Sequence, residues 1–446
     1  MNNNLIRTER EKESAFLVGV EVKGQDQPLS VDDSLEELEL LSQTAGLEVV
    51  GEEKQRLDSP NPATFIGSGK VEEVKALAHS LEADVVIMDE ELSPRNFREL
   101  EKAFGNGIRV IDRTTLILDI FAQHAQTKEG QLQVELAQYE YLYPRLTRAW
   151  SHLARQAGGG GGRAGSVGGV GLRGPGETQL EVDRRRIRDR ISRLKEDIEK
   201  VRDHRKRYRQ NRKRSKLPII ALVGYTNSGK STLLNSLTSA DVYVADQLFA
   251  TLDPTTRRLE LPGGNVVLMT DTVGFIQKLP TQLIAAFRAT LEEISEADLL
   301  LHVVDASHEN SIIQWRSVID TLNEIDAGSV PVVTVLNKID KLEDHREITG
   351  RYPEFETGIP ISAKYSIGFD QLTERIQKEL FERYIRLNVT IPYQNGQFIS
   401  LFHEYGKIEK IDHGIESVKI SGSIPGRLLA DFERFKDKRG KKSETA

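Results

Sequence analysis

The run Gly224-Tyr225-Thr226-Asn227-Ser228-Gly229-Lys230-Ser231 constrains this 446-residue chain more than any other stretch. It matches GxxxxGK[ST], follows the apolar run PIIALV directly and opens the helix-like stretch STLLNSL. A glycine-rich turn between a buried strand and a helix aims backbone N–H groups and a helix N-terminus at one point, which attracts phosphate oxygens. An apolar strand feeding such a turn belongs to a sheet covered on both faces, so the expected fold class is α/β with a mostly parallel sheet. Lys230 is expected to neutralise β/γ oxygens, and the Ser231 hydroxyl to ligate Mg²⁺.

Three later segments complete a guanine-nucleotide pattern. Asp271-Thr272-Val273-Gly274 follows the strand-like run NVVLMT; Asp271 is expected to hold Mg²⁺ through water, and the Gly274 N–H to meet a γ-phosphate. Asn337-Lys338-Ile339-Asp340 follows VVTVL, and Asp340 offers two acceptors to the guanine N1–H and N2 amine, a donor pair that adenine lacks. Leaving that carboxylate unpaired is costly, which rejects the wrong base. Ser362-Ala363-Lys364 closes the set, with the Ala363 N–H expected at the guanine O6. Between the phosphate loop and Asp271 a Thr hydroxyl must reach Mg²⁺, and FATLDPTTRR offers Thr251, Thr255 and Thr256. Phe275 stands where many GTPases carry the Gln that orients the attacking water, so turnover by the isolated protein is expected to be slow.

FATLDPTTR, DTVGF and GLRGPGETQLE together resemble the HflX family of ribosome-associated GTPases, related to the Obg group, over nearly the whole chain. The resemblance implies that Phe249, Ala250, Thr251, Leu252 and Asp253 line the nucleotide and that Thr251 is the Mg²⁺ ligand beside Ser231. Lys230, Thr251, Asp271 and Gly274 then form the expected catalytic set. It also implies a partner, the large ribosomal subunit and its rRNA, with roles in splitting or rescuing stalled ribosomes or in subunit maturation. A signalling-type GTPase with a protein effector and a nucleotide-dependent RNA-remodelling enzyme are the rival readings.

Around this core the chain divides into four expected parts. Residues 1–130 alternate strand-like and helix-like runs, AFLVGVEV, then SLEELELLSQTA opened by Ser34, LEVVGEE, KVEEVKALAHSL and DVVIMDE, as an N-terminal α/β domain does. Residues 131–216 carry two heptad seams, one through Leu132, Leu136, Tyr139, Tyr143, Leu146, Trp150 and Leu153 and one through Leu180, Ile187, Ile191, Leu194, Ile198 and Val201. Two such helices are expected to form an antiparallel hairpin, kinked at Pro144, with a glycine-rich tip at 158–176 that holds 11 of the 35 glycines. Residues 217–383 form the expected GTPase domain, and 384–446 a small α+β domain with a disordered tail.

Charge singles out the hairpin. Residues 184–216 hold 17 Lys/Arg against 5 Asp/Glu, a local +12, which leaves −19 elsewhere in a chain of net charge −7. Such a segment suits phosphate backbone, and Arg163, Arg173, Arg184, Arg185 and Arg186 are the expected contacts. With no cysteine, the chain has no disulfide and no thiolate metal site. Its apolar runs are strand-length and no signal-like stretch opens it, so a cytoplasmic protein is expected, monomeric and partly ribosome-associated. Gly67-Ser68-Gly69-Lys70 resembles half a phosphate loop but lacks its upstream glycine and following Ser/Thr; a turn capping the next helix is the expectation, a second nucleotide site the alternative.

Overall fold

The computed structural model describes residues 12–24, 28–105, 107–145, 179–215, 217–238, 248–249, 254–262, 264–278, 294–344, 346–381, 384–425 and 428–436. The expected contacts Arg163 and Arg173, the seam positions Leu146, Trp150 and Leu153, the glycine-rich tip, the tail at 437–446 and Ala250, Thr251, Leu252 and Asp253 lie outside them.

The first strands and helices alternate: β1 (Ser14–Val22), α1 (Val31–Thr44), β2 (Glu48–Leu57), α2 (Ser68–Ser80), β3 (Val85–Met88), α3 (Pro94–Phe104), β4 (Arg109–Asp112), α4 (Arg113–His124) and α5 (Lys128–Leu142). They build a parallel four-stranded sheet of order β2-β1-β3-β4. Strand period two divides β1 between two cores: Ala15 and Leu17 join Leu35, Leu38 and Leu118, whereas Phe16, Val18 and Val20 join Val74, Phe97 and Leu100. Side chains fix the helix starts. Ser30 caps α1 by accepting from the Asp33 N–H, and Ser93 with Asn96 forms a capping box on α3, with Pro94 in its first turn. The expected start of α1 at Ser34 is therefore one turn late: Ser34 lies buried within the helix, its hydroxyl donating to Asp89 at 2.6 Å.

Helix α5 ends at Leu142, just before Pro144, and a 3-10 turn covers Tyr143–Arg145. Helix α6 (Gln179–Ser215) is 37 residues long. The heptad positions of both meet: Leu132, Leu136 and Leu194 are buried together, with Tyr139, Ile191, Ile198 and Val201 packed around them. Arg190 pairs with Glu135 and Lys195 with Glu140 along the flanks.

The second sheet takes β5 (Ile219–Val223), then α7 (Lys230–Thr238), β6 (Thr255–Glu260), β7 (Val266–Asp271), β8 (Leu299–Asp305), α8 (Ser311–Glu324), β9 (Val332–Asn337), α9 (Arg346–Arg351) and β10 (Ile359–Pro360). Its order among the described residues is β10-β9-β8-β5-β7-β6, and β5, β7, β8, β9 and β10 run parallel. Strands β5 and β8 are buried almost throughout, as a sheet covered on both faces requires.

Residues 260–265 and 370–446 form a separate compact unit. After α10 (Phe369–Leu380) it holds β11 (Tyr384–Pro392), α11 (Gly396–Tyr405), β12 (Lys407–His413), β13 (Ser417–Pro425) and α12 (Leu429–Phe432). The three strands form an antiparallel sheet of order β11-β13-β12, whose core gathers Val389, Ile391, Phe402, Ile420 and Phe432.

Candidate nucleotide site

Four segments of distant sequence meet at the carboxyl ends of β5, β7, β9 and β10, where open α/β sheets place their ligands. The turn after β5 returns at once into α7, and a glycine at its end makes that possible. Gly229 has φ +94°, and a Cβ there would lie 2.2 Å from the Asn337 side-chain nitrogen. Gly274 comes so close to the loop that a Cβ would meet the Thr226 Cα at 2.9 Å and the Lys230 amine at 3.1 Å. Lys230 is buried and donates to the Gly224 and Tyr225 carbonyls at 3.1 and 2.8 Å. Burial pulls its pKa down to about 8, against the attraction of Asp271.

Side chains bind these segments together. The Ser231 hydroxyl donates to Asp271 at 2.6 Å, and Asp271 is buried at the end of β7. Asn337 donates to the Ser228 carbonyl at 2.8 Å and accepts from the Ala363 N–H at 2.9 Å, tying β9 to the phosphate loop and to the 362–364 turn. The Ala363 N–H expected for the guanine O6 is thus already used within the protein, and a keto oxygen there has to share it. The Ser362 hydroxyl holds Asp340 at 2.5 Å, Lys338 pairs with Asp305 at 2.7 Å, and Ile339 is buried below them. Thr272 is anchored by donation to the Leu222 carbonyl at 2.6 Å. Lys364 lies over the Tyr365 ring.

Phe275 points inward and is buried with Tyr225, Phe249, Ile276 and Phe121 of α4. Phe249 stands edge-on to Phe121 at 4.6 Å. Thr256 is bound into the sheet by a 3.0 Å contact between its hydroxyl and that of Thr270, and Thr255 begins β6. His302, buried on β8, stays neutral because burial lowers its pKa to about 3. At the other weak motif, Gly67 is the N-cap of α2 and Lys70 pairs with Glu53 and Glu73, so its charge is spent locally.

Sequence reasoning missed the groups holding the phosphate loop and the 275–278 segment to the first sheet: Glu37, Asp89, Arg113, Lys278 and the Tyr225 hydroxyl. Their only trace in the sequence is a charged residue directly after each of two strands, Asp89 after VVIM and Arg113 after RVID.

Family models cover most of this chain: a GTP-binding GTPase N-terminal region at residues 32–122, a GTP-binding GTPase middle region at 124–212 and a 50S ribosome-binding GTPase at 219–338. A GTPase HflX of Caldanaerobacter subterraneus subsp. tengcongensis is 44% identical over 426 residues, 96% of this chain and 94% of its own. The chain belongs to the HflX family of GTPases. The HflX of Escherichia coli is 45% identical over 85% of this chain and 86% of its own, and that of Alkalihalophilus pseudofirmus 51% identical over 75% and 76%. Among solved structures, a GTP-binding protein from Sulfolobus solfataricus in complex with GDP matches with TM-score 0.43 and 25% identity, covering 82% of this chain and 98% of its own. As an HflX GTPase, the chain is a hydrolase acting on GTP and binds GTP, GDP and Mg²⁺. The donors present fit those groups: Ser231 and Asp271 offer hard oxygen ligands, the buried Ser228 hydroxyl has no hydrogen-bond partner among the described residues, and Gly229 and Gly274 leave room for phosphate against the backbone. No helix among the described residues is long and apolar enough to cross a membrane.

Proposed function

We propose that the chain binds the ribosome, chiefly its large subunit, in the GTP form and leaves after hydrolysis, serving to split or rescue stalled ribosomes or to mature subunits. In this reading residues 1–130, 131–216, 217–383 and 384–446 are its working parts, and it acts as a cytoplasmic monomer. Lys230 and the backbone of 224–231 hold the phosphates, with Ser231, Asp271 and Thr251 serving Mg²⁺, which when bound screens charge on the β- and γ-phosphates. The Gly274 N–H senses the γ-phosphate, and Asp340 reads the guanine between Asn337, Lys338 and the Ser362-Ala363-Lys364 turn. Thr272 and Val273 carry the chain from Asp271 to Gly274, and Phe249, Ala250, Leu252 and Asp253 flank Thr251. Phe275, buried among aromatic rings, leaves water positioning to another group, so the partner accelerates the reaction.

The observation that carries this reading is the meeting of Lys230, Asp271, Gly274, Asn337 and Asp340 at one end of a parallel sheet, in a chain whose 219–338 segment matches a 50S ribosome-binding GTPase. Arg184, Arg185 and Arg186, exposed on α6, supply the cationic face for rRNA, together with Arg163 and Arg173. Sedimentation with ribosomes tests it. Co-sedimentation is expected with a non-hydrolysable GTP analogue and not with GDP; equal partition in both nucleotides would overturn the reading.

A further inference from the structure

Lys278 lies four residues after Gly274, yet its side chain is held by the other sheet. Its amine reaches Asp89 at 2.6 Å, Glu90 at 2.7 Å and the Ser34 hydroxyl at 3.2 Å. Asp89, fully buried after β3, is held from its other side by Arg113 at 2.8 Å. Arg113, equally buried, also pairs with Glu37, and Glu37 accepts from the Tyr225 hydroxyl. Tyr225 closes the circuit, since its hydroxyl oxygen accepts from the Gln277 N–H at 2.9 Å. Two backbone bonds run alongside, from the Thr226 N–H to the Phe275 carbonyl at 2.8 Å and from the Phe275 N–H to the Gly224 carbonyl at 3.0 Å. The main chain of Lys278 has φ +54°, a region that a side-chain-bearing residue keeps only where its surroundings impose it.

We infer that Lys278 is a positioning residue for GTP hydrolysis: anchored on Asp89 and Glu90, it fixes the 275–278 segment so that the Gly274 N–H stands beside Lys230. The inference rests on the GTPase site proposed above. In open α/β sheets the carboxyl-end crevice where strand order reverses takes a ligand. Here that point lies between β1 and β3, and Asp89 and Glu90 beside it hold an amine from the GTPase sheet. The anchored arrangement is also the one that brings Gly274 against Thr226 and Lys230. A donor fixed before the charge develops needs no reorganisation during the reaction, whereas a loose one does.

The test uses the full chain, with single-turnover hydrolysis at saturating GTP and separate GTP and GDP affinities. Lys278→Met is expected to slow the single-turnover step by about fivefold or more and to lower affinity for GTP but not GDP, since only the third phosphate meets Gly274. Lys278→Arg, which keeps the cation, is expected to return both to within about twofold of wild type. Glu90→Gln, at a partly exposed partner, is expected to move both readouts in the same direction but less, and it decides the matter should Lys278→Met fail to fold. A folded Lys278→Met with unchanged or faster hydrolysis, or a Glu90→Gln indistinguishable from wild type where Lys278→Met does not fold, overturns the positioning role. Wild type that neither binds nor hydrolyses GTP would instead overturn the site itself.

Discussion

Replacing Lys230 by Met is expected to abolish nucleotide binding and yet stabilise the nucleotide-free protein at neutral pH. Burial lowers the Lys230 pKa from 10.5 to about 8, so at pH 7 the folded chain carries a buried ammonium at a cost. A shift of about 2.5 units corresponds to about 3 kcal/mol. Losing the bonds to the Gly224 and Tyr225 carbonyls returns about 1 kcal/mol of that, leaving a net gain of about 2 kcal/mol for Met. The sign follows from proton counting. Below about pH 8 the lysine is charged in both states and the whole cost is felt; between about pH 8 and 10.5 the unfolded chain binds more protons than the folded one, so wild-type stability rises with pH. The gap between Met and wild type is therefore expected to be full at pH 7 and to close by about pH 10. Thermal unfolding of protein stripped of nucleotide, followed at pH 7, 8.5 and 10, measures it, with the Met midpoint raised by about 4–8 °C at pH 7. A Met variant no more stable than wild type at pH 7, or a gap that persists to pH 10, refutes the reasoning.

The same pKa sets the pH dependence of binding in wild type: phosphate needs the charged amine, so GTP and GDP affinity should fall by about tenfold per pH unit above pH 8 with proton uptake on binding, as calorimetry in two buffers would show. Gly274→Ala, whose methyl would press on Thr226 and the Lys230 amine, is expected to reduce affinity for GTP more than for GDP; equal losses would separate Gly274 from the third phosphate. Asp340→Asn is expected to shift preference from GTP toward XTP, and an unaltered preference in competition binding would remove Asp340 from base recognition. Charge reversal at Arg184, Arg185 and Arg186 is expected to flatten the salt dependence of ribosome binding while GTP affinity holds; an unchanged slope would place the contact elsewhere.

What could be read from the sequence was local or periodic. The phosphate loop, DTVG and NKID each follow a strand at fixed spacing, and Leu132, Leu136, Ile191 and Leu194 announce their seam by period alone. Ser34 misled because it precedes acidic residues much as Ser30 does; the hydroxyl of Ser30 meets an N–H three residues away, while that of Ser34 meets Asp89, 55 residues on. The use of the Ala363 N–H was illegible for the same reason, since its acceptor Asn337 lies 26 residues back. The circuit of Glu37, Asp89, Arg113, Tyr225 and Lys278 leaves no local signature beyond the charged residues that follow β3 and β4, because each member is an ordinary polar residue until the two sheets meet.

Helix α6 places two different environments on one stripe. Ile187, Ile191 and Leu194 follow each other at intervals of four and three, and Arg184 stands three residues before Ile187 on the same stripe, exposed where they are buried or partly buried. The azimuth of the arginine cluster is thereby slaved to the apolar seam. An insertion or deletion of one residue between Arg184 and Ile187 would swing the cluster by about 100° around the axis, whereas seven residues would turn it by only about 20°. Among relatives of this chain, length changes at that point are expected in steps of seven, and a variant lengthened by seven residues there should keep its basic face while one lengthened by two loses it.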